Sequence, residues 1–284
     1  MGRTTHAGDT HADVNQDMSL VPTMLKVTAD AVDRVRPAAA GLVVLIYHRV
    51  GGRTPVRVDL PTPTFDHQMA ELAATGRVLA LDLAVERLAA GDDLTGHTVV
   101  TFDDGTADFV DDALPVLVRH GVPATLYVAT KYIDEGIDFP DDGRPASWAG
   151  LADSVSTGLV TIGSHTHSHA LLDRLPPQDV RAELDRSIDL IGNELGVPAD
   201  HFAYPKALAP TPIADREVRS RFRSAALAGT RPNPPGTDPF RLRRSPVQTT
   251  DGDRWFRRKV AGGLHFEDDV RQMVNRRRYM GATS

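Results

Sequence analysis

Val99-Val100-Thr101-Phe102-Asp103-Asp104-Gly105 reads as a buried strand that runs straight into two adjacent carboxylates and a glycine. Side chains alternate along a strand, so neighbouring acids at its end face opposite ways. One aspartate can face a metal while the other faces water or a substrate.

Working outward, the same grammar recurs. Leu42–Tyr47 is a continuous apolar run, rich in β-branched residues and ending in His48. Such a run suits a strand buried on both faces of a parallel sheet. Ala124–Val128, Leu159–Gly163, Phe202–Pro205 and Ser224–Leu227 read as further strands, and Leu242–Val247 leads into the last segment. Between them, helical patterns cover a segment starting near Thr64 (its expected N-cap), Asp82–Ala90, Asp111–His120 with Pro115 in its interior, and Trp148–Ser156. Gln178–Leu195 is the clearest amphipathic helix, with Val180, Leu184, Ile188 and Ile191 on one face. Asp215–Ser220 and Trp255–Arg278 complete the helices, and Lys131–Pro145, acidic and containing Gly and Pro, reads as a long surface loop. Strands alternating with helices predict a parallel sheet in an α/β domain. The polar residues gather after Tyr47, Phe102, Gly163 and Tyr204, at strand ends where α/β folds place their sites.

Composition narrows the chemistry. The 284 residues include no cysteine, which excludes a disulfide framework and a thiolate metal site. Any ion must then be held by His, Asp or Glu. A net charge of -6 gives no general attraction to nucleic acid or anionic membranes. Met1–Asn15 has no apolar core of the kind a secretory signal carries, and Leu42–Tyr47 is too short to span a bilayer. The expectation is a cytoplasmic protein with no transmembrane segment, associated with an envelope only through its substrate. The chain divides into a tail with a short helix (1–38), a catalytic domain (39–250) and a helical extension (251–284). His6 and His11 in the tail read as solvated.

His165 and His169, within Ser164-His165-Thr166-His167-Ser168-His169, are four residues apart. On a helical turn they would share a face. Two imidazoles plus one carboxylate make the three-ligand set of a catalytic zinc site, with a position left for water. Asp104 is the obvious third ligand; the alternative is an exposed histidine loop without metal, which the Asp-Asp-Gly at a strand end disfavours. With Asp104 on the ion, Asp103 is free to act as general base, or else caps a turn.

Thr101-Phe102-Asp103-Asp104-Gly105 together with His165-Thr166-His167-Ser168-His169 resembles the first two motifs of the polysaccharide deacetylases, carbohydrate esterase family four. The resemblance covers roughly residues 42–247. It implies a distorted (β/α) barrel of about seven strands, a divalent ion (zinc first, with cobalt, nickel or iron as alternatives) on Asp104, His165 and His169, and Asp103 as base. Phe202-Ala203-Tyr204-Pro205-Lys206 is similar to the third motif, and implies that the backbone N–H of Lys206 helps hold the oxyanion. The family's base-orienting arginine has no counterpart here: the matching position is Ala203. Arg244, in Arg244-Ser245-Pro246-Val247, resembles an R-x-P-V segment of related members and becomes the substitute, unless it is a solvated arginine beside Arg241 and Arg243. The usual C-terminal histidine strand is missing; Leu264-His265 resembles it only superficially. Leu45-Ile46-Tyr47-His48 is instead similar to the circularly rearranged branch that deacetylates poly-N-acetylglucosamine-type polymers. By that likeness His48 protonates the leaving amine, with a core histidine bonded to backbone as the plainer alternative.

The activity implied is metal-dependent removal of N-acetyl groups from an amino sugar, polysaccharide or glycoconjugate. Its rivals are an amidase of a non-sugar C–N bond on the same scaffold, and a non-catalytic, metal-containing carbohydrate-binding relative.

Overall fold

The computed structural model describes residues 40–264. The expected tail, the end of the helix drawn to Arg278, and His265 lie outside these residues. In chain order the described elements begin with β1 (Val43–Tyr47), a two-stranded ribbon of β2 (Arg49–Val50) and β3 (Asp59–Leu60), α1 (Thr62–Ala74) and α2 (Leu81–Ala89). They continue with β4 (Thr98–Phe102), a π-type turn (Phe109–Ala113), α3 (Leu114–His120), β5 (Ala124–Val128), α4 (Thr130–Glu135), α5 (Trp148–Ser156) and β6 (Val160–Ser164). Then come α6 (Pro177–Leu195), β7 (His201–Ala203), α7 (Pro212–Arg219), β8 (Ser224–Ala226), β9 (Ser245–Pro246) and α8 (Gly252–Val260).

Seven strands form one sheet in the order β8-β7-β6-β5-β4-β1-β9, every pairing parallel. It curls into the distorted (β/α) barrel. The two edges meet through one segment: Leu242 bridges Ala226 of β8, while Ser245 and Pro246 pair with Leu45 and Ile46 of β1. The chain thus changes neighbours between residues 242 and 246, and Arg244 sits at that seam.

Strand alternation sorts the core into two layers. Val43, Leu45 and Tyr47 of β1 and Val100 and Phe102 of β4 join the larger cluster under the helices. Val44, Val99, Tyr127, Ala203 and Ala226 join a smaller one with Leu81, Ala84, Val85 and Leu88 of α2. Both faces are therefore covered, which is why the strands read as unbroken apolar runs. Thr101 and Asp103 continue the side of Val99, so the base candidate points to the inner face.

Local corrections have physical reasons. The first helix starts at Thr62, with Pro61 at its N-cap and a proline in its first turn, rather than at a Thr64 cap. Pro115 falls where the π-type turn, which ends at Ala113, passes directly into α3, in whose first turn it stands. The expected loop over Lys131–Pro145 opens with α4, stopped by left-handed Gly136 (φ 63°). No helix among the described residues is long and apolar enough to cross a membrane.

Candidate active site

Parallel strands bring five functional positions to one end of the sheet. His48 follows β1, Asp103 and Asp104 follow β4, His165 follows β6, and Lys206 follows β7. Arg244 enters from the seam before β9.

The two aspartates have opposite surroundings. Asp103 is buried (4% exposed) and receives two parallel hydrogen bonds from the fully buried Arg244, Nη1 to Oδ1 at 2.5 Å and Nη2 to Oδ2 at 2.8 Å. Arg244 also donates from Nη1 to Thr101 Oγ1 (3.3 Å) and from Nε to the Leu227 carbonyl (3.2 Å). It is no solvated surface arginine. Burial pushes the Asp103 carboxyl up, but the charges of Arg244, His165 and His48 outweigh it and hold it at about 2.

Asp104 turns the other way, at φ 77°, a left-handed conformation that few non-glycine residues adopt. Its Oδ1 lies 3.5 Å from His169 Nε2 and 3.7 Å from His165 Nε2. Donor atoms around a tetrahedral ion with bonds of about 2.0–2.2 Å stand roughly 3.3–3.6 Å apart. The 3.5 Å pair lies inside that range and the 3.7 Å pair just outside it, and with all three donor atoms within 4.8 Å of one another the set could hold a divalent cation. His165 Nδ1 lies 2.8 Å from the Ala203 carbonyl. As donor it fixes the tautomer and leaves the Nε2 lone pair free for an ion. Burial lowers His165, and burial with the neighbouring His165 lowers His169 to about 4, so both imidazoles are neutral at pH 7 as ligands must be. Burial would raise Asp104, yet the nearby His48, His169 and His165 hold it below the ordinary value.

The histidine pair does not sit on a helical turn. Thr166 (φ 65°) and His169 (φ 61°) are left-handed, and the resulting bend folds His169 back toward His165, with ring centroids 5.0 Å apart. A buried β-branched residue at positive φ is strained and persists only where its surroundings enforce it. Glu183 of α6 provides that enforcement, accepting from Ser168 N (2.8 Å) and Ser168 Oγ (2.7 Å). The middle histidine leaves the site: His167 Nδ1 meets Thr130 Oγ1 at 3.0 Å and its Nε2 accepts from Arg186.

His48 is half-buried and close enough for its charge to bear on both Asp103 and Asp104. Its Nδ1 is buried, and no protein group among the described residues hydrogen-bonds it. Lys206 is exposed, left-handed (φ 54°), and near enough to His169 for its ammonium to depress that imidazole. Glu183 and Tyr127, whose ring lies under Arg244, escaped sequence reasoning, their positions carrying no motif of their own, and so did the contact of Thr101, first residue of the first motif, with that arginine.

Comparison with known proteins points to deacetylases. The polysaccharide deacetylase family profile matches residues 91–224, a span that holds Asp103, Asp104, His165, His169 and Lys206 but neither His48 nor Arg244. YxkH of Bacillus subtilis (strain 168), which bears a polysaccharide deacetylase name, is 27% identical over 168 residues, 58% of this chain and 57% of that protein. A chitin deacetylase of Arthroderma benhamiae is 26% identical over 124 residues, 42% of this chain and 31% of its own length. The chain thus spans between about a third and a little over half of these curated relatives. The solved structure of IcaB from Ammonifex degensii superposes with a TM-score of 0.68 at 25% identity, covering 79% of this chain and 98% of that one. Motifs, barrel and profile agree: the chain carries a polysaccharide deacetylase domain match over residues 91–224.

Proposed function

We propose that the domain over 39–250 is a metal-dependent N-deacetylase of an N-acetylated amino sugar or its polymer, of the circularly rearranged type. The observation that carries this is the split between neighbouring carboxylates, Asp103 on an arginine and Asp104 on two histidines. Asp104, His165 and His169 would hold the ion, zinc by donor type. A bound divalent ion supplies acidification of the attacking water and polarisation of the acyl oxygen.

The chain's own groups do the rest. Arg244 fixes both oxygens of Asp103, which stays ionised and takes the proton of the attacking water. The Lys206 backbone N–H donates to the oxygen that gains charge as the tetrahedral centre forms. His48 delivers a proton to the departing nitrogen, so acetate and a free amine leave together. Positioned proton transfer of this kind contributes on the order of 100–10,000-fold.

Acetate release from N-acetylglucosamine oligomers, with zinc content measured on the same samples, tests the reading. Wild type should turn over, Asp103→Asn should keep zinc and lose turnover, and His48→Ala should keep zinc and slow by about 100-fold or more. Full activity in Asp103→Asn would reject it.

A further inference from the structure

The in-plane bonds of Arg244 to Asp103, Thr101 and Leu227 hold the guanidinium by its edges. Edge bonds do not fix the tilt of a planar group. Its face is covered by Tyr127, whose ring centroid lies 5.1 Å from Arg244 Cζ, within reach of a cation–π contact. Tyr127 is fully buried, and its hydroxyl bonds no protein group among the described residues. The ring, not the hydroxyl, is what this side chain offers its neighbours.

The sheet is shaped to let the ring lie there. Tyr127 on β5 is in register with Gly163 on β6. A Cβ at Gly163 would come within 2.6 Å of Tyr127 Cδ1 and 2.7 Å of the His201 carbonyl oxygen, so a side chain is excluded. The bare glycine leaves room for the ring over β6, where its face turns toward the seam arginine.

We infer that Tyr127 is a positioning residue for the reaction: its ring face sets the plane of Arg244 and, through it, the orientation of the Asp103 carboxylate. This rests on the deacetylase reading above. A role through Arg244 must act on turnover, not on substrate affinity or metal content, and must vanish when Arg244 is gone.

The experiment measures kcat, KM and zinc content for Tyr127→Phe, Tyr127→Met, and Tyr127 replaced by pentafluorophenylalanine, each with Arg244 and with Arg244→Ala. Tyr127→Phe should stay within about twofold of wild type, and Tyr127→Met should lose about tenfold in kcat at unchanged KM and zinc. Pentafluorophenylalanine keeps the shape of Phe but drains the ring face of negative charge, so it should also lose kcat relative to Phe; this arm decides the matter if Tyr127→Met does not fold. In the Arg244→Ala background these losses should disappear. Equal kcat for the Phe and pentafluoro forms, or the same loss with and without Arg244, overturns the inference. A wild-type protein that releases no acetate overturns the deacetylase reading instead.

Discussion

Arg244 has its whole charge sunk beside Asp103, both side chains nearly free of solvent. Pairs of this kind gain little net stability, because desolvation offsets the attraction, but removing one partner strands the other. Arg244→Met should therefore lose about 3–5 kcal/mol, read as a lower urea midpoint. Adding Asp103→Asn to that variant should recover a large part of the loss, since no buried carboxylate is left unpaired. The gap at Ala203 in the third motif is plain in the sequence, and so is an arginine in a suggestive tetrapeptide. What no local pattern carries is the contact, which joins residues 141 positions apart through a strand that changes partners. The histidine spacing is legible too, but not its geometry: four residues apart fits a helix, whereas bonds from Ser168 to Glu183 and around His167 to Thr130 and Arg186 hold a bent loop.

At the level of elements, the buried strands were the easiest to read, because burial on both faces leaves continuous apolar runs at Val43–Tyr47, Thr98–Phe102 and Ala124–Val128. α4 was hidden because six residues are too few to show a helical period. Helix α2 shows how an element far from the chemistry holds the barrel. Asp82 in its first turn lies 2.9 Å from His201 Nε2 on β7 and accepts from Arg223 at 3.0 Å. His201 Nδ1 in turn meets Ser224 Oγ on β8 at 2.8 Å, so one carboxylate ties α2 to two strands. The hydrogen bond to His201 lowers the Asp82 carboxyl below 3.8, against the opposing effect of burial and with the charges of His201 and Arg223 adding to it. A group depressed in the folded state stabilises above its unfolded pKa and loses that contribution as pH falls through its folded value. Asp82→Asn should thus melt below wild type at pH 7, with the difference closing as pH falls below about 4. Paired thermal melts across that range check the sign.

For the whole molecule, the three ligand side chains come from the ends of two strands, β4 and β6, separated in the sheet by β5. An ion held by them would bind the folded barrel and not the unfolded chain. At zinc 100-fold above its dissociation constant the gain is about 2.7 kcal/mol, or roughly 5–10 °C in Tm for a domain near 200 residues. Calorimetry with zinc and after chelation should show this shift for wild type and none for Asp104→Ala. A shift of equal size in Asp104→Ala would place the ion elsewhere.

The seam that carries Arg244 also sets a clock. A ribosome adding about 5–20 residues per second needs on the order of 10 s to travel the 141 positions from Asp103 to Arg244. Through that interval the nascent chain holds Asp103 and, from about its midpoint, His165 and His169, but not the arginine that pairs with Asp103. Among the described strands, every one but β9 has been made before the closing segment emerges. The last-made of the described strands is thus the ignition key of the proposed deacetylase: Asp103 gains its arginine only once the barrel's edges have been joined.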